Sequence, residues 1–141
     1  MILFCDTSAL VKLYINEEHS PLMREAAGKS STMAVCRIAW AEAMAALARR
    51  VREHPGDAAA VDAVRRRLGI DWPRYAIMEV TQELVELAGD YADTFALRGY
   101  YSVQLAAARL LQQAAEDDLH FACFDVRLQK SARVLGMSVF A

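Results

Sequence analysis

Histidine and cysteine are both scarce in this chain of 141 residues, with three of each. His19, His54 and His120 are scattered and lack the close spacing of a zinc site. Cys5, Cys36 and Cys123 are odd in number and each lies in an apolar stretch, which predicts free, buried thiols in a reducing compartment. No apolar run is long enough to span a bilayer, and the chain reaches Asp6 before a signal-peptide core could form. A cytoplasmic protein with no membrane partner is expected. An excess of positive charge is also missing: 16 Lys+Arg stand against 18 Asp+Glu, a formal net charge of -2. Composition therefore gives no general attraction for nucleic acid, and any polyanion binding has to come from local clusters. There is no repeat, linker or low-complexity segment, and no glycine-rich phosphate loop. The first absence predicts one domain over residues 1–141, and the second excludes P-loop and dinucleotide-binding machinery.

What is present is a globular composition, 55% hydrophobic and 24% charged, long enough for a real core. Its organising stretch is Ile2-Leu3-Phe4-Cys5-Asp6-Thr7-Ser8-Ala9-Leu10-Val11. Four apolar residues read as a short buried strand, and Ser8 to Ile15 carries Ala9, Leu10, Leu13 and Tyr14 at helical spacing. Asp6 then falls at the carboxyl end of the first strand, the edge where ligands sit in open parallel sheets, followed by the hydroxyls of Thr7 and Ser8. The same residue types are also ordinary helix N-caps.

Further along, Ser20-Pro21 predicts an N-cap and first residue of a helix to about Lys29. Thr32 to Cys36 reads as a second strand and Arg37 to about His54 as a long alanine-rich helix. After the Pro55-Gly56 turn, Asp57 is placed to cap a helix with Val61, Val64 and Leu68 facing inward. Ala76 to Val80 is a third strand, and Thr81 caps a helix to about Leu97 bearing Leu84, Leu87, Ala88 and Tyr91 on one stripe. A helix from about Ser102 to Ala115, a strand from His120 to Phe124 ending at Asp125, and a basic helix from Val126 to Leu135 follow. Gly136 suits a left-handed stop, and Met137 to Phe140 is a last strand. Strands alternating with helices predict a mostly parallel sheet covered on both faces.

Three carboxylates stand out. Asp125 repeats the pattern of Asp6, an apolar strand followed by a carboxylate and a helix, so parallel strands would put both at one sheet edge. Glu42 lies on a small apolar face with Ile38, Ala39, Ala45 and Ala46, and buried Glu is rare unless paired or metal-linked. Pairing with Arg49 or Arg50 is the competing account of Glu42. Like charges at about 4 Å repel by about 4 kcal/mol at an effective dielectric near 20, so such a group calls for a cation or a shared proton. Hard oxygen donors without His or Cys point to Mg²⁺ or Mn²⁺. Phosphodiester hydrolysis fits: the metal lowers the pKa of a bound water and offsets charge on phosphate oxygens, while Glu42 accepts a proton or orients that water.

These residues resemble the PIN domains, and most closely the VapC-type toxins of bacterial type II toxin-antitoxin pairs, along almost the whole chain. The matching stretches are Phe4-Cys5-Asp6-Thr7-Ser8-Ala9-Leu10, Trp40-Ala41-Glu42-Ala43, Leu97-Arg98-Gly99-Tyr100 through Leu105-Ala106-Ala107-Ala108, and Phe124-Asp125-Val126-Arg127-Leu128. Their order and spacing together are specific. The resemblance implies a three-layer α/β/α sandwich and a Mg²⁺-dependent endoribonuclease, a homodimer silenced by a VapB-like antitoxin and acting on RNA. Asp6, Glu42 and Asp125 match three acidic positions of the family's site. A further acidic position is held here by Tyr101, and a position that is often His is Gln104. A phenol is neutral at pH 7, so Tyr101 supplies no anionic ligand, and weakened metal binding with low or absent cleavage is expected. A catalytically inactive PIN domain that binds antitoxin or RNA is the alternative. A haloacid-dehalogenase-like phosphatase would want a second Asp where Ser8 stands. Arg65 to Arg67, Arg49 to Arg52, and Arg127, Lys130 and Arg133 are candidate phosphate contacts, and Leu10, Leu13, Tyr14, Leu22 and Met23 a candidate antitoxin face.

Overall fold

The computed structural model describes residues 1–139. Five parallel strands form one sheet in the order β3-β2-β1-β4-β5. They are β1 (Ile2–Cys5), β2 (Thr32–Cys36), β3 (Ala76–Met78), β4 (Leu119–Ala122) and β5 (Ser138–Val139). The central strand is the first in sequence, and all four of its residues are buried. That is why it reads as a continuous apolar run with no polar alternation.

Alternate side chains of β1 enter different layers. Phe4 joins Leu84, Leu105, Phe121 and Leu128 on one face, with the Phe4 and Phe121 ring centroids 5.5 Å apart. Leu3 and Cys5 join Leu10, Met23, Val35 and Leu68 on the other. The first face is covered by α5 (Gln82–Phe95), α6 (Gly99–Ala114) and α7 (Val126–Val134), the second by α1 (Thr7–Lys12), α2 (Ser20–Lys29), α3 (Ala39–Glu53) and α4 (Ala58–Asp71). Leu47, Val61 and Val64 form a smaller core between α3 and α4. The expected α/β/α sandwich with a parallel sheet is the observed architecture.

Departures from the sequence reading are local. Ser20 is the first residue of α2 and does not cap it: buried, it accepts from Glu17 N at 3.0 Å and donates to Ile15 O at 3.1 Å, closing the preceding loop. Asp57 makes no side-chain cap and lies 3.3 Å from Arg50. Strand β3 stops at Met78, and the side chain of Glu79 pairs with Arg37. Helix α6 begins at Gly99, three residues before Ser102, which draws Tyr100 and Tyr101 into its first turn. β4 ends at Ala122, leaving Cys123 and Phe124 as the approach to Asp125. Of the last expected strand, Ser138 and Val139 are paired with β4, and Phe140 lies outside the described residues. All three cysteines are free and buried, and burial pushes their thiols up, so they stay protonated. Among the described residues no helix is long and apolar enough to cross a membrane.

Candidate functional site

Asp6 leaves β1 at the carboxyl edge of the sheet and also caps α1, so the edge position and the cap that the sequence suggested fall on one residue. Its Oδ1 accepts from Ala9 N at 2.9 Å and from the Ser8 hydroxyl at 2.8 Å. Its own N–H donates to Ala122 O at 3.1 Å, fastening the end of β1 to β4. The residue is 3% exposed, and its pKa is pushed from the ordinary 3.8 to about 6. Burial is the main cause; the bonds from Ala9 and Ser8 oppose it, the Glu42 charge adds to it and Lys12 opposes it.

Glu42 stands in the first turn of α3 and reaches the same cavity by a different route. Its Oε1 accepts from the Thr7 hydroxyl at 2.9 Å and from Gln104 Nε2 at 3.0 Å. The same Gln104 nitrogen also approaches Thr7 Oγ1 at 3.3 Å, so Thr7, Glu42 and Gln104 close a triangle across α1, α3 and α6. Gln104 is 1% exposed, and its Oε1 is buried without a hydrogen-bond partner. The arginine account of Glu42 does not hold: Arg49 bonds Glu53 at 2.9 Å and Arg50 lies 3.3 Å from Asp57. Gln104 is the member of this set that sequence reasoning passed over as a variable position. The available signal was an amide inside the apolar run Val103 to Ala108.

Asp125 caps α7, accepting from Leu128 N at 2.9 Å. Because β4 lies beside β1 and runs parallel to it, Asp125 emerges at the same carboxyl edge as Asp6. It opens, however, on a neighbouring cavity of about 600 Å³, while Asp6 and Glu42 line one of about 520 Å³. Tyr101 lines both cavities and stands between them. Its hydroxyl is held up in pKa by a hydrogen bond with Tyr100, by burial, and by the charges of Tyr100, Asp125 and Asp6, so it stays neutral.

The fit to a divalent ion can be judged on these contacts. The donors are hard oxygens, as Mg²⁺ prefers. Oδ1 of Asp6 and of Asp125 is each engaged in a helix cap, and a neutral phenol sits between the two carboxyls. Among the described residues no three His, Cys, Asp or Glu side chains are placed to share one ion. As they stand, the residues do not complete a metal centre.

The basic clusters divide. Arg65 bonds Asp62 at 2.7 Å, and Arg67 sits 5.2 Å over the Tyr14 ring. Arg127 lines the Asp125 cavity with Arg98 and donates to Ala96 O at 2.9 Å. Lys12 lies 5.0 Å over the Phe124 ring, against which His19 also stacks at 4.7 Å. Of the expected antitoxin face, Leu10 and Met23 are fully buried and belong to the core. The apolar side chains exposed instead include Ile38, Trp40 and Val80, in a groove also lined by Trp72 and Pro73.

The PIN domain model matches residues 3–134. The chain is 30% identical over 138 residues to ribonuclease VapC45 and to ribonuclease VapC49 of two Mycobacterium tuberculosis strains, covering 98% of this chain and 94% of each relative. Among solved structures it resembles a toxin-antitoxin complex from Klebsiella pneumoniae, with a TM-score of 0.67, 18% identity, and coverage of 100% of this chain and 97% of the other. It also resembles VapBC2 from Rickettsia felis bound to a promoter DNA fragment, with a TM-score of 0.65, 14% identity, and coverage of 99% and 98%. Matched in sequence over nearly its full length and in fold to such proteins, the chain belongs to the PIN domain family, among its VapC-type toxins.

Proposed function

We propose that the chain is a VapC-like endoribonuclease, formed by a single domain over residues 1–141, cytoplasmic, and attenuated because Tyr101 holds the place of an acidic ligand. The observation that carries this reading is the meeting of Asp6 and Glu42, 36 positions apart, in one cavity at the carboxyl edge of the parallel sheet. Asp6 and Asp125 are the carboxylates offered to Mg²⁺ or Mn²⁺, and Tyr101 marks the missing one. Glu42, fixed by Thr7 and Gln104, is the group set to accept a proton from an attacking water or to orient it. Ser8 and Ala9 hold the Asp6 carboxyl in a single orientation.

A VapB-like antitoxin and an RNA substrate are the proposed partners, with a homodimer as the working assembly. The ribonuclease names of the relatives support the RNA substrate, and the toxin-antitoxin complexes among the structural neighbours support the antitoxin. The absence of a shared three-ligand metal group among the described residues favours a second reading, an inactive PIN domain that binds antitoxin or RNA without cutting.

Calorimetric titration of Mg²⁺ into the chain and into Asp6→Ala, beside an RNA cleavage assay, separates the two. A weak metal site that vanishes in Asp6→Ala, with slow cleavage that vanishes alongside it, supports the nuclease. Equal, metal-independent behaviour of both proteins leaves the binding module.

A further inference from the structure

The nuclease reading accounts for the carboxylates and Tyr101 and leaves Tyr100, its aromatic neighbour at the start of α6, unused. Tyr100 and Tyr101 lie with ring centroids 4.2 Å apart and planes tilted by 33°. The inner ring packs against the outer one, so Tyr100 is backed before any ligand arrives. Tyr100 remains 47% exposed, an unusual state for a large ring lining a cavity whose floor is Asp6 and Glu42. The inner ring, Tyr101, borders the second cavity, where Arg98 and Arg127 stand. The exposed ring of Tyr100 thus borders the carboxylate cavity, and the ring behind it, Tyr101, is shared with the neighbouring cavity that Arg98 and Arg127 line.

We propose that Tyr100 is a stacking platform for one unpaired base of the RNA substrate, with Arg98 and Arg127 positioned toward the adjoining phosphate. This inference rests on the ribonuclease reading and adds to it the residue that selects unpaired over paired nucleotides. The physical ground is that a base can lie on an aromatic ring only when it is free of its own stack, whereas arginines contact the backbone of any strand. Stacking is sequence-tolerant, so Tyr100 selects strand state and leaves base identity open.

The test is binding, measured by fluorescence anisotropy in EDTA so that no cleavage enters. The probes are a labelled single-stranded oligoribonucleotide and a hairpin duplex of the same composition, with the full chain, Tyr100→Ala and Tyr100→Phe. The expected result is tighter binding of the single strand by the unaltered chain, weakened about 10-fold or more in Tyr100→Ala and largely retained in Tyr100→Phe, with duplex binding unchanged. Matching circular dichroism spectra and melting temperatures establish that the variants are folded. Single-strand binding by Tyr100→Ala equal to that of the unaltered chain overturns the platform alone. Failure of the unaltered chain to bind either RNA overturns the ribonuclease reading and the platform together.

Discussion

Thr7 and Gln104, 97 positions apart, lie 3.3 Å from each other and share a single acceptor, Glu42 Oε1. This ties the first turn of α1, the first turn of α3 and the second turn of α6 into one polar knot in the wall of the Asp6 cavity. Glu42 thereby has a fixed orientation that neither its helix nor a neighbouring arginine provides.

Replacing the Gln104 amide by a carboxylate would set two acceptors against each other where a donor now faces Glu42. Gln104→Glu is expected to lose about 2–3 kcal/mol of stability at pH 7, part of it recovered near pH 4 where one carboxyl carries a proton. Gln104→Met, which also removes the unpartnered buried Oε1, should lose less. Urea unfolding at the two pH values checks both, and equal losses for the two variants would contradict the role given to Nε2.

Asp6 supplies a pH signature. Its pKa is about 6 when folded against an ordinary 3.8, so the folded state holds a proton that the unfolded state has already released. The favourable contribution is complete below about pH 3.8 and disappears as pH rises through about 6. Asp6→Asn keeps an acceptor for Ala9 N and Ser8 while removing the charge. It should match the unaltered chain near pH 4 and exceed it by up to about 3 kcal/mol at pH 7. A stability difference that stays constant between pH 4 and 7 would show that burial does not penalise this carboxylate.

Tyr101→Asp places an anion between Asp6 and Asp125 in the first turn of α6, where the helix dipole also favours it. Mg²⁺ affinity and RNA cleavage should both rise, each by about 10- to 100-fold. Calorimetry and a cleavage assay on the two proteins decide, and unchanged metal affinity would remove the explanation of attenuation.

Two helix ends carry opposite backbone errors and corrections. Ala96 ends α5 at φ 54°, a left-handed conformation that costs a residue with a Cβ, and Gly136 follows α7 at φ 82°. Ala96→Gly should therefore stabilise, and Gly136→Ala destabilise, each by about 1 kcal/mol. Thermal melting of the two variants checks both shifts.

The sequence by itself determined the layers and the strand edge. Continuous apolar strands alternating with amphipathic helices have few ways to bury their faces, so a parallel sheet covered on both sides followed, with Asp6 at the carboxyl end of its first strand; that this strand is the central one was decided by the fold. Asp125 was legible for the same local reason. What only the tertiary structure decided is how side chains from distant elements meet. The early start of α6 sets Tyr101 between two cavities, and the crossing of α1, α3 and α6 gives Glu42 to Thr7 and Gln104. Periodicity reports which face of a helix is buried, but the partner a buried polar atom finds depends on helix packing, and packing is a property of the whole fold.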